Sequence, residues 1–564
     1  MKTQRAMILV SNDPESVRLG ANELIQNINK ALADYNLQDE VVVSTIDIST
    51  IYDVQRANIL PLVIAHPDAT VYGPVKLVDA RYLVEEHIYK GRIATDLLAP
   101  PKLLTGQIGS LRSHKGYNPV EHRVVLERAG IIDPENIEEF IAANGYEALG
   151  KVLSETTPKQ VIEIIEKSGL QGRGGAGFPT GRKWSFVHSA KGRKKYVVCN
   201  ADESEPGTFK DRIVLEGDPH LILEAMAIAG YAVGADEGYI YVRGEYGLAY
   251  KRLEKAILQA REFGFLGGNI FGSEFNFNIH IHAGAGAYVC GEETALLESL
   301  EGKRGEPRSR PPYPVTNGLW NKPTLVNNVE TLANIPAIIR NGADWYRVLG
   351  TPSSPGTKVY TIMGNVNFSG VIEVPMGITL REVINIYAKG MKPGSILKLA
   401  QTGGSSGSII PAVLQDTPMD FESFRKAGVS LGSGALLICD QHTCIVDLVK
   451  VLLQFFRFES CGKCTPAASA PNAPMKSWSA LHKDKENWKS WINCWTLRAK
   501  WNALPTADLV KLPQSPSATC SSISARKWRL TFVWEFVQQV SASCQKRVKK
   551  RRIFHLILER KIEQ

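Results

Sequence analysis

Apolar positions first gather at residues 5–10, Arg-Ala-Met-Ile-Leu-Val, a run of strand length. Helical spacing follows from about Pro14 to Tyr35, and β-branched residues return around Val41–Ile46. Two further strand-like stretches flank Asp68-Ala69-Thr70, and helical spacing covers roughly Asp79–Tyr89. The order βαβ then ββα predicts a thioredoxin-like domain over residues 1–118, ended by the connector Ala99-Pro100-Pro101. From 119 to 345, helical and strand patterns alternate between Gly-rich turns, which predicts a Rossmann-like α/β domain. Over 346–430, short strands surround one helix (Thr379–Ala388) and a Gly-Gly-Ser-Ser-Gly turn, the pattern of a small β-grasp-like module. An apolar helix, Asp447–Phe458, runs towards Cys461 and opens a helical segment over 431–466. The fold class expected is α/β and multidomain.

Composition alters this picture at one point only. The 564 residues are 44% hydrophobic and 22% charged, without an apolar run of membrane-spanning length. The chain enters its first strand within a few residues, so no cleaved leader is expected. Nine cysteines are too few for a secreted disulfide scaffold, and the pair Cys461-x-x-Cys464 reads as metal or redox chemistry in a cytoplasmic protein. The net charge of +9, however, is unevenly placed. Residues 467–564 carry 18 Lys and Arg against 6 Asp and Glu, leaving 48 against 51 in the first 466. The same stretch holds seven of the ten Trp and no Gly or Tyr.

Four constellations carry candidate chemistry. Gly172-Arg173-Gly174-Gly175-Ala176-Gly177-Phe178-Pro179-Thr180-Gly181 offers glycines whose amides can approach a phosphate closely. Its G-x-G-x-x-G spacing is weak alone, because a helix precedes it where a dinucleotide fingerprint needs a strand. Lys183, Trp184 and Phe186 add a cation and ring faces just downstream. Asn200-Ala201-Asp202-Glu203-Ser204-Glu205 follows the strand Tyr196–Cys199, where carboxylates at a strand's carboxyl end can accept from ribose hydroxyls. Tyr288-Val289-Cys290-Gly291-Glu292-Glu293 reads as another strand and turn before an apolar helix, and Asn327-Asn328 supplies adjacent amides suited to a flavin edge. Last comes Glu459-Ser460-Cys461-Gly462-Lys463-Cys464.

In their order and spacing these blocks resemble the NADH-binding flavoprotein subunit of respiratory complex I and the diaphorase subunits of NAD(P)-linked hydrogenases and formate dehydrogenases, over roughly 119–466. The resemblance implies FMN contacts at Gly172, Gly174, Lys183, Asn200, Asp202, Gly291, Glu292, Asn327 and Asn328, with Arg173 and Gly177 of the same loop also cofactor-binding. It implies an NADH side at Phe178, Phe186, Glu203, Glu205, Tyr288 and Glu293, with Arg310 and Tyr313 nearby. It further implies hydride transfer to FMN without an acid–base residue, then single electrons to the iron–sulfur subunits of a larger complex, peripheral to a membrane through those partners. Nucleic acid is not expected as a partner. In the family, Cys461 and Cys464 begin a four-cysteine [4Fe–4S] motif, but position 467 here is Ala and the ligand set is incomplete. The β-grasp-like module corresponds to an SLBB-type domain. The N-terminal domain resembles thioredoxin-like [2Fe–2S] ferredoxins yet has no cysteine before Cys199, which excludes a cluster there.

The compositional break falls one residue beyond Pro466, inside the cluster motif, and a one-nucleotide slip accounts for it. Each codon can be regrouped as the last base of the preceding codon plus its own first two. Lys489 and Ile492, each after a Trp (always TGG), become Glu and Asp. Trp488, Cys494 and Trp495, each after a codon ending in T or C, become Leu. The recovered pattern is an amphipathic helix, and Ala467 becomes Cys if Pro466 was CCT. A native basic tail that binds nucleic acid or an acidic membrane is the alternative, but it leaves the position of the break unexplained.

Overall fold

The computed structural model describes residues 6–46, 60–66, 70–99 and 122–463; Cys464 and the stretch read as frameshifted lie outside the described residues. Residues 308–312, Arg310 among them, fall in a separate unit from the other described residues.

In the N-terminal part, β1 (Ala6–Ser11), β2 (Val41–Ile46), β3 (Val63–His66) and β4 (Thr70–Tyr72) form a sheet of order β2-β1-β3-β4. β1 and β2 run parallel, while β3 is antiparallel to both β1 and β4. Every residue of β1 is buried, because the two faces of the strand meet different cores. Ile8 and Val10 pack with Leu24 and Ile28 of the following helix, whereas Met7 and Leu9 join the core of the main body around Phe140. The single helix expected over 14–35 is two: Pro14–Arg18, capped by Asp13, and Ala21–Asp34, with Gly20 between them at φ 97°.

The main body is built on β5 (Tyr196–Ala201), β6 (Glu237–Val242), β7 (Asn278–Ala283) and β8 (Thr324–Asn328), all parallel, in the order β7-β6-β5-β8. Helices cover both faces, as parallel sheets require. On one face the helix Pro219–Val233 is buried at almost every position, packed among neighbouring helices as its all-round apolar sequence demands. On the other face Val198 and Val326 meet Leu296 and Leu297 of the helix Glu293–Leu300. The segment Tyr288–Gly291, read from sequence as a strand, is a 3-10 turn instead; the strand lies ten residues earlier, at Asn278–Ala283.

After the two-residue pair β9 (Gly350–Thr351) and β10 (Ser354–Pro355), a third sheet contains β11 (Thr357–Gly364), β12 (Gly370–Pro375), β13 (Leu397–Thr402), β14 (Ile409–Pro411) and β15 (Ala435–Asp440). Its order is β12-β11-β15-β13-β14, so the central strand lies beyond residue 430, where sequence had ended this module. The last described helix, Ile445–Phe458, ends three residues before Cys461.

Candidate functional site

The connections from β5 step outward to β6 and β7, then the chain returns past β5 to lay down β8. The order therefore reverses between β5 and β8, and at such a switch point the two neighbouring strand ends leave room for a ligand. Asn200 and Asn328 are paired neighbours at those two carboxyl ends. Asn200 donates through Nδ2 to Gly291 O at 2.9 Å, which draws the turn after Tyr288 over the end of β5. A Cβ on Gly291 would sit 3.4 Å from Asp202 O and 3.6 Å from Asp202 Oδ2. One on Gly174 would meet Asn328 Cβ at 3.2 Å. Three separate segments thus converge on one strand pair.

The glycine loop is shaped by its own backbone. Gly172 N donates to Phe178 O and Thr180 N to Leu170 O, which pinches residues 172–178 into a closed loop before the helix Thr180–Ser189. Gly175 (φ 119°) and Gly177 (φ 66°) take conformations open to glycine, and a Cβ at Gly177 would strike the Phe421 ring at 2.7 Å. Arg173, expected at the cofactor, is turned the other way. Its fully buried guanidinium donates to Pro355 O at 2.7 Å, Thr357 O at 3.0 Å and Tyr346 Oη at 3.1 Å, clamping the loop to the third sheet.

Several other expected contacts are also committed to the protein. Glu203 is buried and accepts from Asp211 N, Arg212 N and Tyr246 Oη, so it fixes the start of the helix Lys210–Gly217 rather than facing a nucleotide. Alternation on β8 sends the two asparagines apart. Asn327 Oδ1 accepts from Trp184 Nε1 at 3.0 Å, while Asn328 Nδ2 donates to Asp211 Oδ2 at 2.6 Å. Glu292 caps the helix Glu293–Leu300 by accepting from Thr294 N and Ala295 N. Glu205 Oε2 accepts from Ser406 Oγ at 3.0 Å, within the Gly-Gly-Ser-Ser-Gly turn. The Tyr288 ring lies 5.0 Å from that of Phe455, and Tyr288 N donates to Glu459, so this turn rests on the helix leading to Cys461.

At the rim Lys183 Nζ pairs with Glu293 Oε2 at 2.9 Å, and Phe178, Phe186 and Tyr313 are about half exposed. Sequence reading missed Lys210, Asp211, Glu330 and Lys358, a buried charged group directly behind Asn328. Lys358 could not have been found from pattern, because it opens an apolar strand where a lysine ordinarily marks the solvent edge.

Asp202 carries the clearest sign of a ligand. It is 8% exposed, Ser204 Oγ donates to its Oδ1, and its buried Oδ2 has no partner among the described residues. Burial pushes its carboxyl up to about 7, against the pull of the Ser204 hydroxyl and the Arg243 charge, with Glu245 and Glu459 adding to the rise. An orphaned acceptor of this kind suits a hydroxyl or ring N–H donor from a bound molecule. The amide-rich loop, the cation Lys183 and the exposed rings fit the phosphate and flat ring of a flavin nucleotide. Together, fold and site are those of an α/β protein with a candidate nucleotide site at a sheet switch point.

Comparison with known proteins narrows that class. Residues 165–337 match the family described as the Nuo51 FMN-binding domain. The NADP-reducing hydrogenase subunit HndC of Solidesulfovibrio fructosivorans is 54% identical over 344 residues, 61% of this chain and 70% of the relative. A subunit of the NADH-quinone oxidoreductase of Rhizobium meliloti is 51% identical over 343 residues, 61% of this chain and 82% of the relative. Among solved structures, an NAD+-reducing [NiFe]-hydrogenase in the air-oxidised state matches with a TM-score of 0.55 at 30% identity, covering 86% of this chain and 77% of that one. The chain belongs to the Nuo51 family of NADH-quinone oxidoreductase subunits and their hydrogenase counterparts.

The orphaned carboxylate has a measurable consequence in the ligand-free protein. Between its ordinary 3.8 and about 7, the folded chain keeps the Asp202 proton that the unfolded chain releases. Stability therefore falls as pH rises through this window, by at most on the order of 1.4 kcal/mol per pH unit, and is level above it. Denaturant unfolding should show Asp202→Asn more stable than the parent at pH 8 and equal to it near pH 4. A variant equally destabilised at both pH values would rule out this origin.

Proposed function

We propose that this chain is the NADH-oxidising, FMN-carrying subunit of a larger oxidoreductase, delivering electrons to iron–sulfur partners. The observation that carries the reading is the convergence of Gly174, Asn200, Asp202, Gly291 and Asn328 at the β5/β8 switch point, inside the span that matches the FMN-binding family. FMN bound there would accept a hydride from NADH and release electrons singly, so the chemistry is the cofactor's and the chain orients it. Gly172, Gly174, Gly177 and Lys183 would hold the phosphate, and Asn200, Asp202 and Gly291, beside the end of β8 at Asn328, the ribityl chain and ring. Phe178, Phe186 and Tyr313 offer faces for stacking the dinucleotide, with Glu293 for its polar groups. Glu293 and Lys183, paired at 2.9 Å, would part or share their hydrogen bond as ligand enters.

The finer domain reading belongs to the same proposal. The order β2-β1-β3-β4 with β3 antiparallel supports a thioredoxin-like domain without cluster ligands. In this domain the buried Ser11 hydroxyl is bonded to Ser16 Oγ and accepts from Leu62 N. Among the described residues no helix is long and apolar enough to cross a membrane, so contact with one would come through partner subunits on its cytoplasmic face. A second reading, a nucleotide- and flavin-binding relic, is favoured by Ala at position 467, which leaves Cys461 and Cys464 short of four thiolates. Iron and sulfide analysis separates the two readings.

Protein incubated with FMN and gel-filtered should retain about one flavin per chain, and anaerobic NADH should bleach its absorbance. Failure to take up FMN, or flavin that stays oxidised under excess NADH, would refute the proposal.

A carboxylate at Glu293 accepts from the 2′-hydroxyl of NADH and repels the 2′-phosphate of NADPH. Glu293→Ala should therefore raise kcat/KM for NADPH relative to NADH, about tenfold for each ~1.4 kcal/mol of discrimination lost. An unchanged ratio would remove Glu293 from this role.

A further inference from the structure

Behind the proposed flavin site lies a closed set of charges with no access to water. Lys358, the second residue of β11, is 0% exposed, and Lys210 and Glu330 are each 1% exposed. Lys358 Nζ donates to Glu330 Oε2 at 3.0 Å, to Ser433 O at 3.0 Å and to Arg173 O at 3.3 Å. All three of its protons are used. Glu330 Oε2 also lies 3.0 Å from Lys210 Nζ, while its Oε1 accepts from Val359 N at 2.9 Å. Lys210 Nζ lies 2.6 Å from Asp211 Oδ1, and Asp211 Oδ2 receives the Asn328 amide at 2.6 Å. Burial disfavours the charge on Glu330, yet Lys358, Lys210 and Arg173 outweigh it and hold the carboxyl below its ordinary range.

The path of these bonds matters more than their number. It starts at Asn328 on one side of the switch point, passes through Asp211, Lys210 and Glu330, and crosses to the third sheet at Lys358. From there it returns to the carbonyl of Arg173 in the glycine loop, the other wall of the same site. The turn after β5 is tied to the third sheet independently, by Thr361 Oγ1 donating to Gly207 O at 2.6 Å and by Thr208 Oγ1 and Ser433 Oγ at 3.0 Å. A sheet that supplies none of the expected flavin contacts therefore holds the segments that do.

We propose that Lys358 is a positioning residue for the flavin site, and that the third sheet acts as a clasp whose docking and flavin binding reinforce each other. The inference rests on the FMN reading above. Linkage makes the coupling reciprocal: if the docked sheet favours the flavin, the flavin must favour the docked sheet. Removing one partner of a buried ion pair strands the other, whereas removing both relieves the stranded charge, so stability and positioning can be separated.

Two measurements on the full chain test this. In Lys358→Met the FMN dissociation constant, read by flavin fluorescence, should rise at least tenfold. In Lys358→Met with Glu330→Gln the unfolding midpoint should recover towards the parent while FMN affinity stays at least tenfold weaker. Affinity that returns together with stability would overturn the proposal. Hydrogen–deuterium exchange on the unaltered chain does not depend on any variant folding. FMN should slow exchange in residues 357–364 and 432–436 as well as in the glycine loop; slowing confined to 170–205 and 324–331 would overturn the clasp. If the unaltered chain takes up no FMN, the parent reading fails and this one with it; uptake without the coupled effects defeats this one alone.

Discussion

The rest of the structure depends on two parallel strands, Tyr196–Ala201 and Thr324–Asn328, that end side by side at the point where the strand order reverses. Such a reversal leaves space between their carboxyl ends, and neighbouring segments of the main body line or brace it. Asn200 draws the Gly291 turn over one strand end, and the glycine loop closes over the other. Because the helix Pro219–Val233 is buried nearly all round, the strands are held from behind by a core that leaves little freedom to shift. The geometry at the strand ends is therefore set before any ligand arrives.

Bracing such a site is an electrostatic problem. The segments that form it carry Arg173, Glu203, Lys210, Asp211 and Glu330 in a dry interior, where an isolated charge would be prohibitive. Each is paired or hydrogen-bonded, and Lys358 from the third sheet completes the set. Asp202 differs from these, with one buried oxygen that has no partner among the described residues at the place where a ligand is expected; Glu224 Oε2, on the helix Pro219–Val233, is likewise unpartnered.

Much of this was legible in the sequence, for identifiable reasons. Element order followed hydrophobic period, and the convergent residues stood at strand ends and in a glycine loop whose spacing matched a known family. The exceptions have physical causes. Tyr288–Cys290 has strand-like residues but forms a turn, because its amide and ring are held by Glu459 and Phe455, more than 160 positions away. Glu203 and Arg173 looked available to a ligand, since a carboxylate and a guanidinium in a turn usually are. Only the fold reveals that one fixes a helix start and the other clamps a loop. Strand Ala435–Asp440 was assigned to the wrong module because its place in the third sheet comes from long-range pairing with β11 and β13, which no local pattern encodes.

On the proposed reading the β5/β8 switch point is a flavin site, and a crystal structure of the chain grown with FMN is the sharpest test. Flavin density is expected between Gly174 and the ends of β5 and β8, with a donor of the flavin within hydrogen-bonding distance of Asp202 Oδ2. Flavin bound elsewhere, or bound there with Asp202 Oδ2 still unpartnered, would contradict it.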